Sequence, residues 1–264
     1  MTDWQEHLII GPIVLPMLIA AAMLLFDERR RLLKGGLSLF AMAAILAMAL
    51  ALLHESATGA TGGGDTARVY QLGDWPAPFG IVLVADRLST LMVALTSVLG
   101  ACSMIFALAR WDRAGPRFHA LFLLLVMGVN GAFLTGDLFN LFVFFEIMLA
   151  ASYGLALHGS GEARIRAGLA YIAVNLTASM LFLIGVSLIY GVTGTLNMAD
   201  LAQRIPAVPA QDRMLLEAGA AVLGIAFLVK SGMWPLSFWL PGAYSAAGGP
   251  GAPGFGIPTQ GGLH

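Results

Sequence analysis

Long apolar runs separated by short polar links organise most of the chain. Six of them, at residues 8–26, 35–53, 88–109, 118–134, 138–157 and 168–190, are close to the ~20 residues that a helix needs to cross a hydrocarbon core. A seventh run, 214–244, is too long for one straight span and contains Pro235. Proline removes a backbone hydrogen bond and disfavours helix at the residue before it, so a break is predicted at Met233 and Trp234. The pattern predicts an all-α polytopic membrane protein over residues 1–247, followed by a Gly/Pro-rich tail, 248–264, whose composition does not form a span.

The links refine this reading. Asp27, Glu28, Arg29, Arg30, Arg31 and Lys34 follow the first run. A signal peptide carries its positive charge before the apolar stretch, so the first helix is expected to be retained. Gly59 to Gly64 mark a flexible hydrophilic loop. The GGGD within it has no following Lys-Ser/Thr pair and no preceding strand, so it does not support phosphate binding. Residues 69–86, with Pro76 and Pro78, predict an extended loop packed on the surface, and Trp75 and Trp111 fall where interfacial anchoring is expected. A polar loop spans 191–213.

Composition agrees with the pattern. The chain is 58% hydrophobic and 11% charged, with a mean hydropathy of +0.83, far too little polar surface for an ordinary soluble domain. A net charge of −1 and the absence of a basic cluster interleaved with aromatics argue against nucleic-acid binding. Cys102, the single cysteine, excludes disulfides within the chain and Cys-ligated clusters; within an apolar run it reads as buried and inert. His7, His54 and His119 show no metal-ligand spacing. No flavin, nicotinamide or iron–sulfur motif is present, so no cofactor and no enzymatic chemistry are expected of this chain.

Basic residues predict the orientation, because cytoplasmic loops hold an excess of Lys and Arg. With the N-terminus outside, the inner loops contain Arg29, Arg30, Arg31, Lys34, Arg110, Arg113, Arg117, Arg164 and Arg166. The outer loops hold only Arg68, Arg87, Arg204 and Arg213, and Lys230 is the one basic residue left within a span.

Candidate chemistry centres on Glu146, near the middle of the run 138–157, where a carboxylate costs several kcal/mol unless it has water or a partner. It reads either as a proton-carrying site or as a structural hydrogen-bonding group in a helix interface. In steps of four, one helical stripe carries Glu146, Ala150, Gly154 and His158. The small residues leave room for another helix or for water. His158 at the helix end reads equally as a proton access point or as a solvated interface histidine. Asp137 and Asp86 open their helices and read as caps, and Asn175 reads as an interhelical hydrogen bond. Lys230, five residues before Pro235, sits beside the expected break, where discontinuous helices place unpaired backbone groups near ions.

Two motifs carry a family resemblance. GDLFNLFVFFEIMLAASY resembles the glutamate-bearing helix of the D-type membrane component of Mrp-type multisubunit cation/proton antiporters, and FLVKSGMWPLSFWLPGAY resembles the later, interrupted helix that carries the paired lysine. The wider superfamily includes the antiporter-like membrane subunits of respiratory complex I. The resemblance covers about residues 73 to 244, is weaker in the first two helices and fails after Ala247. It implies the first half of an inverted-repeat core, with Glu146 and Lys230 as the proton-translocating pair. It also implies a hetero-oligomer in a bacterial inner membrane, acting on protons and monovalent cations. The alternatives are a proton-translocating subunit of a complex I or hydrogenase assembly, and an inactive membrane scaffold. Family members are considerably longer, and the Gly/Pro tail replaces the expected helical continuation, so a truncated or frame-shifted gene is expected.

Overall fold

The computed structural model describes residues 7–58, 67–75, 80–113, 115–158 and 161–247. The Gly59 to Gly64 loop, Pro76, Pro78 and the tail 248–264 lie outside the described residues. Helices dominate, in the order α1 (Gly11–Leu24), α2 (Arg31–Thr58), α3 (Arg87–Arg110), α4 (Phe118–Leu134), α5 (Leu138–Ala156), α6 (Glu162–Thr193), α7 (Met198–Arg204), α8 (Ala210–Ser231) and α9 (Leu240–Ala247). Of these, α2, α3, α5, α6 and α8 are long and apolar enough to cross a membrane.

The other two expected full spans, α1 and α4, are shorter apolar helices. At 1.5 Å per residue the 14 residues of α1 cover about 21 Å and the 17 of α4 about 26 Å. The first apolar run is longer than its helix because His7–Ile9 form a 3₁₀ turn before Pro12, which sits in the first turn of α1, where a missing N–H costs nothing. Conversely, α2 begins at Arg31, so Lys34, expected in a loop, is a buried helical residue.

Residues 69–86 do more than extend over the surface. Strands β1 (Arg68–Gln71) and β2 (Val82–Ala85) pair antiparallel, with Arg68 opposite Ala85 and Gln71 opposite Val82. The ribbon gathers one end of the bundle: Gly136 donates its N–H to the Val82 carbonyl at 2.8 Å, and Met198 donates to the Gly136 carbonyl at 2.9 Å. Asp86 and Asp137 cap as expected. Asp86 accepts from Ser89 N–H at the start of α3, and Asp137 accepts from Phe139 and Asn140 N–H at the start of α5, satisfying orphan donors of the first turn.

Two apolar cores share α4. One joins α1, α2, α3 and α4 around Met42, Ile45, Met104 and Leu123. The other joins α4, α5, α6 and α8 around Phe145, Phe182 and Leu223. Cys102 is exposed on α3, which corrects the buried reading. An apolar run in a membrane protein is solvated by lipid on its outer face, so apolarity alone does not imply burial.

Candidate functional site

The predicted break exists, and it starts one residue earlier than proline alone dictates. Gly232 adopts φ +62° and ends α8, with its N–H donated to the Leu228 and Val229 carbonyls. Met233 N–H also bonds the Leu228 carbonyl, at 3.1 Å, completing a left-handed C-terminal turn that a residue with a Cβ adopts only under strain. Trp239 Nε1 donates to the Val229 carbonyl at 3.1 Å, so a carbonyl freed at the helix end is satisfied inside the protein. Lys230 therefore occupies the last turn of α8, where the helix dipole favours a cation.

Close packing of α6 on α8 brings Lys230 to its partners. A Cβ on Gly185 would lie 2.7 Å from the Leu223 nitrogen, and one on Gly219 would lie 2.9 Å from Leu188 Cβ. Both glycines are thus required for the two backbones to approach this closely. On the α6 face that results, Ser179 is fully buried between α5 and α8. Lys230 Nζ donates to Ser179 Oγ at 2.9 Å, and the Ser179 hydroxyl donates to Glu146 Oε1. Lys230 Nζ and Glu146 Oε1 are 3.9 Å apart. Lys230 is 6% exposed and its ammonium lies 5.6 Å from the Phe145 ring centroid, whereas the Glu146 side chain is a third exposed. One end of this hydrogen-bonded chain is enclosed and the other is partly exposed.

The family resemblance implies that Glu146 pairs with Lys230, and nothing in the sequence reading singles out Ser179. A signal was available: Ser179 stands four residues after Asn175 on the sixth apolar run, so the two share a polar stripe. Asn175 itself is not interhelical. Its Nδ2 donates to the Tyr171 carbonyl one turn back on α6 at 3.0 Å. Towards the α5–α6 link, Ser152 and Tyr171 hydroxyls are 2.9 Å apart, and the Tyr171 ring packs 5.4 Å from both Tyr153 and Trp239. Among the described residues the buried Tyr153 hydroxyl has no hydrogen-bond partner.

His158 is not brought to Glu146. Along the predicted stripe Ala150 is exposed, and Leu121 of α4 closes over Gly154, where a Cβ would meet it at 2.8 Å. The imidazole is 5% exposed, which overturns the solvated reading. Its Nε2–H donates to the Trp111 carbonyl at 3.2 Å, and the ring packs 5.2 Å from Phe118. Arg164 reaches the His158 carbonyl and lies over the Trp111 ring at 5.0 Å. Burial holds the imidazole below the usual histidine range, with the Arg164 charge adding to that and the Trp111 carbonyl opposing it. Among the described residues no cluster of His, Cys, Asp and Glu has the makings of a metal site.

Comparison with known proteins places these motifs. Residues 135–253 match the family described as "NADH:quinone oxidoreductase/Mrp antiporter, TM". A Rhizobium meliloti protein, named as the probable D-type component of a K(+)/H(+) antiporter, is 59% identical over 264 residues, which is 100% of this chain and 49% of that protein. Along its whole length the chain is similar to that D-type antiporter component. The corresponding Na(+)/H(+) antiporter component of Alkalihalophilus pseudofirmus is 42% identical over 242 residues, 91% of this chain and 47% of that one. The structure of the Mrp complex from a Dietzia species contains a chain that superposes with a TM-score of 0.83 at 34% identity, covering 98% of this chain and 47% of that one. The chain spans about half the length of the curated relatives it matches. It shares the antiporter-like membrane fold and is a multi-pass membrane protein.

Proposed function

We propose that this chain is the membrane subunit of a multisubunit sodium or potassium/proton antiporter, and that protons pass through Glu146 and Lys230. The observation that carries this reading is the unbroken donor chain from Lys230 through Ser179 to Glu146, held between membrane-spanning helices at a helix break. Both titratable ends are needed. As Lys230 gives a proton to Ser179 Oγ, the Ser179 hydroxyl proton moves to Glu146, leaving a neutral amine and a neutral carboxylic acid. The reverse shift restores the ion pair.

Distance controls that equilibrium. Two charges about 4 Å apart attract by about 4 kcal/mol at an effective dielectric of about 20, and doubling the separation halves this. The ~2 kcal/mol released is more than a tenfold change in a proton equilibrium. A movement of the break-bearing end of α8 that lengthens the pair therefore biases it towards the neutral form by about tenfold. His158 is proposed as the access group on the side of the Arg-rich links. With the N-terminus outside, that side faces the cytoplasm of a bacterial inner membrane. The other subunits, implied by the names of the relatives, supply the rest of the assembly.

Inverted membrane vesicles carrying the co-expressed subunits test this reading by cation-induced proton flux. Loss of flux in Glu146→Gln with assembly intact is expected, and undiminished flux would reject the site. The family description also spans quinone-linked machinery. Proton movement driven by NADH oxidation, and indifferent to an imposed sodium or potassium gradient, would favour that second reading.

A further inference from the structure

A second polar cluster lies apart from Glu146 and Lys230, at the Arg-rich end of the other core. It surrounds a cavity of about 230 Å³ lined by Glu28, Arg31, Lys34, Asp112, Phe118 and His119. The Asp112 and His119 side chains are 5% and 6% exposed. Among the described residues, Asp112 Oδ1 and His119 Nε2 are buried with no hydrogen-bond partner. His119 Nε2 and Asp112 Oδ2 stand 3.9 Å apart, too far for a hydrogen bond.

The Ser38 hydroxyl stands 2.9 Å from the Lys34 carbonyl and 3.1 Å from His119 Nδ1, so Nδ1 has a partner whichever ring nitrogen of the neutral imidazole holds the proton. Nε2 and Asp112 Oδ1 have none among the described residues. Protonating the imidazole puts a proton on both nitrogens and turns the approach of Nε2 to Asp112 into a charge-assisted pair, with Nδ1 donating to Ser38 Oγ.

We propose that His119 and Asp112 form a second proton-binding site, separate from the intramembrane pair, in which the protonated ring presents Nε2–H to Asp112. The groups facing it come from each surrounding element. Asp112, in the turn after α3, favours the imidazolium. Lys34, on α2, opposes it but is itself paired with Glu28 at 2.9 Å, and Arg31 lines the same cavity. From the end of α5, His158 also faces Asp112, and the Phe118 ring packs against both histidines at 5.6 and 5.2 Å. The cavity lies under the links between α1 and α2 and between α3 and α4, at the end of the molecule where protons would be exchanged with the Arg-rich side.

The test is a titration of the full chain, labelled with ¹⁵N-histidine in lipid nanodiscs, from about pH 5 to about pH 9. The His119 signal is assigned by its loss in His119→Gln. Both ring nitrogens are expected to be protonated once the pH falls below the midpoint. Asp112→Asn should move that midpoint down by about one pH unit, a roughly tenfold weaker site. Should Asp112→Asn not fold, Ser38→Ala serves: removing the acceptor at Nδ1 should also lower the midpoint. No protonation of the ring in the range would overturn the proposal. So would a midpoint indifferent to Asp112, or a signal that follows sodium or potassium concentration at fixed pH. Glu146→Gln should leave this titration in place, so loss of the antiporter reading and loss of this site are separate results.

Discussion

The two polar clusters differ in how their charges are connected. At Glu146, Ser179 and Lys230, a hydrogen bond joins each neighbour to the next, and the chain is strung across three helices. At His119 and Asp112, the facing atoms stand 3.9 Å apart and, among the described residues, each side chain retains an atom with no hydrogen-bond partner. The first is a closed chain that rearranges when a helix moves. The second is an open pair that changes when a proton arrives. Burial of a polar group therefore has two functional outcomes here, depending on whether the surrounding elements complete its hydrogen bonds.

The largest expected effect separates the clusters by transport. Glu146→Gln and Lys230→Ala should each reduce cation-induced proton flux to background, since either removes a titratable end of the chain. Ser179→Ala comes next. It keeps both charges but deletes a buried bridge worth about 1–3 kcal/mol, so a flux loss of about tenfold is expected, with substantial recovery in Ser179→Thr. Full activity in Ser179→Ala would show that direct contact or water, not the hydroxyl, links the pair.

Gly219→Val acts through packing. Its side chain would strike Leu188 and the Gly185 carbonyl, and overpacking at such a contact costs about 1–3 kcal/mol. A lowered unfolding temperature together with reduced flux is expected, while the His119 titration should be unaffected. The smallest effect concerns His158. Its folded proton affinity is lowered, so the folded state takes up fewer protons than the unfolded chain near and below the ordinary histidine value of about 6.5. Its neutral form thus supports stability above that value, and this support is lost as pH falls through it. Thermal unfolding of His158→Gln between about pH 7 and about pH 5 should show a shallower loss of stability than the native chain.

Much of this was legible before folding. Hydropathy placed the helices, because lipid demands continuous apolar length and internal backbone hydrogen bonds. Charge scarcity singled out Glu146 and Lys230. Turn chemistry also worked at Asp86 and Asp137, where a short acidic side chain beside a helix start has few other uses. The break was placed from Pro235, although Gly232 ends the helix, since a left-handed turn favours glycine just before a proline-bearing segment. Lys34 was misread as a loop charge, because a helix extending beyond its apolar run leaves no hydropathy signal.

The sequence by itself determined the apolar helices, the isolated acid and lysine and the existence of a break. Those follow from one-dimensional properties: length, charge and the geometry of single residues. Only the tertiary structure decided that Ser179 stands between Glu146 and Lys230, that Leu121 covers the stripe leading to His158, and that His119 meets Ser38 with one ring nitrogen and faces Asp112 with the other. Serines are common on membrane helices and carry no charge to mark them. Their role depends on which backbones approach within a few ångströms, and that is a property of packing.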